Sequence, residues 1–191
     1  ISAQNFLGQS EYEIRPEWVT GTNYRSRKSV EVKGIKITEG DRLTTEALEV
    51  LRTIKKVGAI LATGHVSWQE SRCLVVEAQR IGIKSIIVTH PIYQLIEMPV
   101  AVQKELVEMG AFIEVCYSMY SIDGVPIREI ASQIKTVGVE YCIISSDVGQ
   151  IKSPSPSQAL LDFMKRLGVE GIIEADFYQM MVVNPRRLMA Y

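Results

Sequence analysis

From residue 44 onward the apolar and polar positions of the chain repeat one unit: a stretch with helical spacing, a glycine, then a short apolar run rich in Ile and Val. The glycines are Gly58, Gly82, Gly110 and Gly138, following KKV, QRI, VEM and KTV. They fit the position just past a helix end, where the backbone turns left-handed and a side chain is penalised. The apolar runs are AILAT (59–63), SIIVT (85–89), AFIEVC (111–116) and YCIISS (141–146). Continuous rather than alternating hydrophobicity is what a strand buried on both faces requires, so the pattern predicts a parallel sheet covered by helices.

Spacing and punctuation agree with that reading. The glycines recur at intervals of 24, 28 and 28 residues, the length of one strand-helix unit. Ser67-Trp68-Gln69-Glu70 is an S-x-x-E capping box at the head of a helix predicted over 67–81. Pro99, Pro126 and Pro156 stand near the starts of the next helical patterns, where a missing N–H costs least. The predicted order is α-β-α-β-α-β-α-β-α, with Gly168 ending a helix over 156–167.

Residues 1–43 break the rhythm. They are polar, carry Tyr12, Trp18 and Tyr24, and hold a candidate hairpin around VEVKGIKITEGDRL. They read as an irregular loop or insertion at the mouth of the fold, either covering a site or structural. Residues 44–191 form the predicted α/β domain.

Composition narrows the class. The chain is 47% hydrophobic, with 21 basic against 22 acidic residues scattered along it, which argues against nucleic acid or an anionic membrane surface as partner. No apolar run approaches the roughly 20 residues that span a bilayer, and the N-terminus does not read as a signal peptide. Cys73, Cys116 and Cys142 form no CxxC pair, and the last two sit in strand-like runs where a small hydrophobe serves. A reduced, cytoplasmic protein is expected. The sequence opens at Ile1 without Met, so a truncated or processed chain is also expected.

In parallel α/β proteins ligands bind where loops converge at the C-terminal ends of strands. Those positions here are Thr63-Gly64-His65, Thr89-His90-Pro91, Glu114 to Tyr117, and Ser146-Asp147. The chain has 2 histidines and both lie just past a buried strand. A single histidine is more often a structural residue than a ligand. Two imidazoles and a carboxylate at equivalent strand ends instead suit a divalent metal. The bland alternative for Asp147 is a helix cap, weakened because Pro154 and Pro156 place the next helix several residues later.

Other residues keep two readings. Glu114, a carboxylate inside an apolar strand, is either paired in a salt bridge or near the metal. Ser145 and Ser146 either position substrate or simply fit a crowded sheet. Gln150 either faces the mouth or lies on the surface, and Tyr93 and Tyr117 either line a pocket or pack. Met180-Met181-Val182-Val183 reads as core, and Ser153-Pro154-Ser155-Pro156 as a loop entering a helix.

The ordered set Gly64-His65, Thr89-His90-Pro91, Ser146-Asp147 and Asn184-Pro185-Arg186-Arg187-Leu188 resembles the second half of the amidohydrolase superfamily. It is most similar to an uncharacterised branch with TGH, THP and DxGQ signatures. The resemblance covers residues 44–191. It implies strands five to eight of a parallel (β/α) barrel of TIM type, a partial barrel, and a metal-dependent hydrolase of a small-molecule amide, ester or related bond. It further implies His65 as a metal ligand, and His90 as a second ligand or as the group polarising the scissile carbonyl. Asp147 then binds the metal or its water and shuttles a proton. Zn is the implied metal, with Mn, Fe or Ni as alternatives. Such barrels also carry an H-x-H pair after strand one, which this sequence lacks, so the N-terminal half is expected to be lost or to lie on a separate polypeptide. The alternatives are a metal phosphoesterase and a non-catalytic half-barrel that binds a small molecule or forms a homo-oligomer through its open edge.

Overall fold

The four apolar runs lie side by side in chain order as one parallel sheet, β3-β4-β5-β6, in a computed structural model that describes residues 36–93, 96–149 and 153–190. The strands are β3 (Leu61–Ala62), β4 (Ile86–Val88), β5 (Phe112–Cys116) and β6 (Cys142–Ser145). Their register pairs Leu61 with Ile86, Ile87 with Phe112, and Ile113 with Cys142. The fold is α/β, with helices flanking this four-stranded sheet.

The helices form where capping and amphipathicity predict them. Before the sheet, β1 (Thr38–Glu39) and β2 (Arg42–Leu43) make an antiparallel hairpin, which accounts for the end of the hairpin segment. Residues 30–35 of that segment, with all of residues 1–29, lie outside the described residues. Helix α1 (Thr45–Val57) starts at Thr44, whose side chain accepts from the Ala47 N–H, and stops at Gly58 with φ 68°. Helix α2 (Trp68–Arg80) has the expected capping box, Ser67 and Glu70 satisfying each other's amides. Pro99 and Pro126 precede α3 (Val100–Glu108) and α5 (Ile127–Val137), and a short α4 (Tyr117–Ser121) follows directly on β5.

One boundary is corrected. Gly168 lies inside α6 (Pro156–Val169) rather than ending it, and the positive φ of 85° falls at Gly171. The buried positions Ala159, Phe163 and Leu167 hold helical spacing up to the residue before Gly168, and the helix ends one residue after it.

The chain finishes with α7 (Glu174–Tyr178), a π turn over Gln179–Val183 and α8 (Asn184–Met189). Met180 is fully buried there, as core. Asn184 is also fully buried, and its Nδ2 donates to the carbonyls of Val139 and Cys142 at 2.8 and 2.6 Å. The C-terminal segment is thereby fastened to the start of β6. The main core packs helices against the sheet, from Leu51, Leu74 and Val75 to Leu106, Ile113, Ile130, Ile134 and Phe163, and a second, small cluster holds Phe112, Ile143 and Leu188. No helix among the described residues is long and apolar enough to cross a membrane.

Candidate functional site

A single offset places three polar side chains at the C-terminal edge of the sheet. His90, Ser118 and Asp147 each sit two residues past the last residue of β4, β5 and β6, and His65 follows β3. Parallel strands in near-level register therefore deliver these residues to one rim.

The two imidazoles meet there, with Nε2 of His65 2.8 Å from Nε2 of His90 and ring centroids 4.6 Å apart. Tyr93 packs against both, edge-on to His90 at 5.7 Å and tilted to His65 at 6.1 Å. Tyr93 is buried, so its ring walls the pair instead of lining an open pocket. Burial holds the His90 pKa down to about 4, with His65 adding to the effect, and burial also lowers His65. Both rings are thus neutral at neutral pH, with lone pairs for a proton or a metal.

Asp147 stands exposed on the same rim, and its Oδ2 accepts the Ser118 hydroxyl at 2.8 Å. It does not cap the next helix. That task belongs to Ser155, whose side chain accepts from the Gln158 N–H. Its field acts on both histidines, favouring their protonated forms against burial.

Backbone strain marks the same residues. Of the three non-glycine residues with positive φ among those described, two are His90 (24°) and Asp147 (46°). Such conformations cost about 1–3 kcal/mol each and persist where the surroundings dictate them, commonly at functional sites.

Glu114 lies beneath the rim. Its Oε1 accepts the Ser145 hydroxyl at 2.9 Å, and Ser145 is itself 3.1 Å from the Cys116 sulfur. No ion pair to Glu114 occurs among the described residues. Burial raises its pKa, the Ser145 hydrogen bond opposing the rise. Ser145 is thus occupied inside the protein, while the Ser146 carbonyl accepts the Ser118 N–H at 3.2 Å. Tyr117 is buried and its hydroxyl reaches Asp162 at 3.2 Å, a link between helices. Gln150 lies outside the described residues. Cys116 and Cys142 are buried thiols, the latter pushed up to about 12 by burial, as a structural role requires.

The donor set can be tested against a divalent ion. Two nitrogens bound tetrahedrally at ~2.05 Å lie about 3.3 Å apart. The observed 2.8 Å therefore needs an opening of only about 0.5 Å. Among the described residues no three His, Cys, Asp or Glu side chains stand grouped around one ion position. His65 and His90 fit as a two-nitrogen site, and Asp147 would have to turn toward them to complete it.

Sequence reasoning missed Ser118. Its offset from β5, matching those of His90 and Asp147 from their strands, was the available signal.

A sequence model described as a family of unknown function (DUF6282) matches residues 9–114, more than half of the chain. The match includes His65, His90 and Glu114 and stops short of Ser118, Ser145 and Asp147. No curated protein matches the chain.

Proposed function

The chain belongs to the DUF6282 family, described as one of unknown function, and on the geometry of its rim we propose that it is a metal-dependent hydrolase of the amidohydrolase type, its sheet forming part of a parallel (β/α) barrel. The observation that carries this reading is the convergence of His65 Nε2 and His90 Nε2 at 2.8 Å on the rim that also bears Asp147. The substrate class is a small molecule with an amide, ester or related bond. A cytoplasmic setting accords with the free, buried thiols of Cys116 and Cys142.

In this reading His65 and His90 bind a divalent ion, Zn first, through Nε2, and Asp147 supplies the carboxylate. When bound, such an ion lowers the pKa of a coordinated water from about 16 to about 7 and so provides hydroxide at neutral pH. The low pKa of His90 keeps its ring neutral, so that one ring nitrogen has a lone pair to offer. Asp147 accepts the proton of the attacking water and returns it to the leaving group. Ser118 orients that carboxylate by occupying Oδ2, and the buried Tyr93 ring excludes water from one side of the imidazole pair.

The test is turnover of a panel of small amides, esters and phosphoesters by zinc-loaded protein and by Asp147→Asn. Hydrolysis of an amide or ester that falls at least about 100-fold in the variant supports the reading. Cleavage of phosphoesters alone assigns the bond type to the phosphoesterase alternative. Turnover indifferent to Asp147 contradicts the mechanism.

A second reading, self-association through the sheet edge, is favoured by one observation. Outside β3 a groove of about 520 Å³ is lined by Ile37, Val50, Leu51, Ile54, Ile60 and Leu61, among others. Val50 in its wall and Val57, on the same helix, are 58% and 68% exposed. Among the described residues the outer edge of β3 has no strand partner, and such an edge with apolar flanks pairs readily with another chain. Sedimentation equilibrium of the wild type against Val50→Lys/Val57→Lys separates a dimer from a monomer.

A further inference from the structure

Past its last pair of residues the ladder between β3 and β4 continues through side chains. The Thr63 N–H still donates to the Ile87 carbonyl at 3.0 Å. Beyond it the Thr89 N–H donates to Thr63 Oγ1 at 3.0 Å, and the Gly64 N–H donates to Thr89 Oγ1 at 3.1 Å. Each hydroxyl thus replaces a carbonyl for the amide of the opposite turn, and the exchange is reciprocal. Thr63 is fully buried and Thr89 half-buried, so neither hydroxyl is replaced by bulk water without cost.

The residues next in line are the two histidines. Gly64 is the last residue before His65, and Thr89 the last before His90. We infer that Thr63 and Thr89 form a clasp that fixes the two turns against each other and thereby sets the separation of His65 Nε2 and His90 Nε2. The threonines are positioning residues, touching neither ring's reacting nitrogen. The clasp rests on the reading of the histidine pair as a binding centre. Threonine serves where serine would be looser, because its methyl group restricts χ1.

The experiment uses the full chain labelled with ¹⁵N. Only 2 histidines are present, so long-range ¹H–¹⁵N correlation of the imidazoles reads His65 and His90 directly in the metal-free protein. Zinc affinity is measured alongside by competition with a chromophoric chelator. Thr63→Val and Thr89→Val keep shape and remove the acceptor, while Thr63→Ser and Thr89→Ser keep the acceptor. The wild type and serine variants should show one ring with a protonated Nε2 and the other with an Nε2 lone pair. Each valine variant should lose that pattern and bind zinc about 10–100-fold more weakly. Valine variants with unchanged imidazole spectra, or serine variants as impaired as the valine ones, overturn the clasp. If the wild type binds no zinc while the valine variants still change the imidazole spectra, the metal reading fails and the clasp stands. Thermal midpoints identify a variant that has merely unfolded, and the two valine substitutions interrupt the same exchange from opposite strands.

Discussion

The Ser118 hydroxyl donates to Oδ2 of Asp147 at 2.8 Å, joining the turn after β5 to the turn after β6. Asp147 is exposed and strained at φ 46°, so its carboxylate has few other reasons to hold one direction. Ser118→Ala should therefore lower zinc affinity or turnover about 10–100-fold. Stability should change by no more than about 1.5 kcal/mol, since water can replace the lost bond at an exposed carboxylate. Equal loss of stability and function would make Ser118 a folding residue instead.

The pKa of His90 makes stability fall in acid. Its folded value of about 4 lies below the ordinary 6.5, so below that ordinary value the unfolded chain binds more protons. The contribution is complete above pH 6.5 and is lost as pH falls toward 4. A shift of that size corresponds to roughly 3 kcal/mol. Urea midpoints measured between pH 7.5 and about 4 should fall in the wild type and fall less in His90→Gln.

Glu114 acts with the opposite sign. Burial raises its folded pKa, so its contribution is present below the unfolded pKa and is lost as pH rises through the folded one. Glu114→Gln keeps an acceptor for Ser145 and removes the buried charge. The variant should gain stability relative to wild type at pH 7 and lose that advantage near pH 4, as read from urea midpoints at the two pH values.

Asn184 is the fastening of the C-terminal segment. Asn184→Leu removes three side-chain hydrogen bonds, leaving the carbonyls of Val139 and Cys142 without that donor and Gln179 Nε2 without its acceptor. The cost should be about 2–4 kcal/mol in chemical denaturation. Asn184→Asp should fail in the same way, because a carboxylate offers acceptors where donors are needed.

The sheet was legible because each strand lies in a short, mostly apolar run between a glycine and a polar rim residue, too short for a helix and repeated at the spacing of a strand-helix unit. The rim was legible for the same reason. Once the strand ends were placed, His65, His90 and Asp147 fell on one edge by parallel geometry alone. What eluded the sequence was the direction of individual side chains. Glu114 could have met a cation, yet it takes the Ser145 hydroxyl, a choice set by cross-strand register that one sequence does not contain. Gly168 shows another limit, since a glycine near a helix end does not by itself say which glycine takes the left-handed turn, and here it is Gly171. The role of Asn184 in binding the start of β6 was likewise hidden, because its partners are backbone carbonyls more than 40 residues away.

The central claim is that His65 and His90 are the nitrogen donors of one metal centre. Titration of the metal-free full chain with cobalt(II), followed by its visible ligand-field absorption, tests it most directly. One equivalent should bind with a low-symmetry spectrum, and His65→Ala or His90→Ala should each abolish it. A wild type that binds no cobalt, or a His90→Ala variant that keeps the wild-type spectrum, would contradict the account.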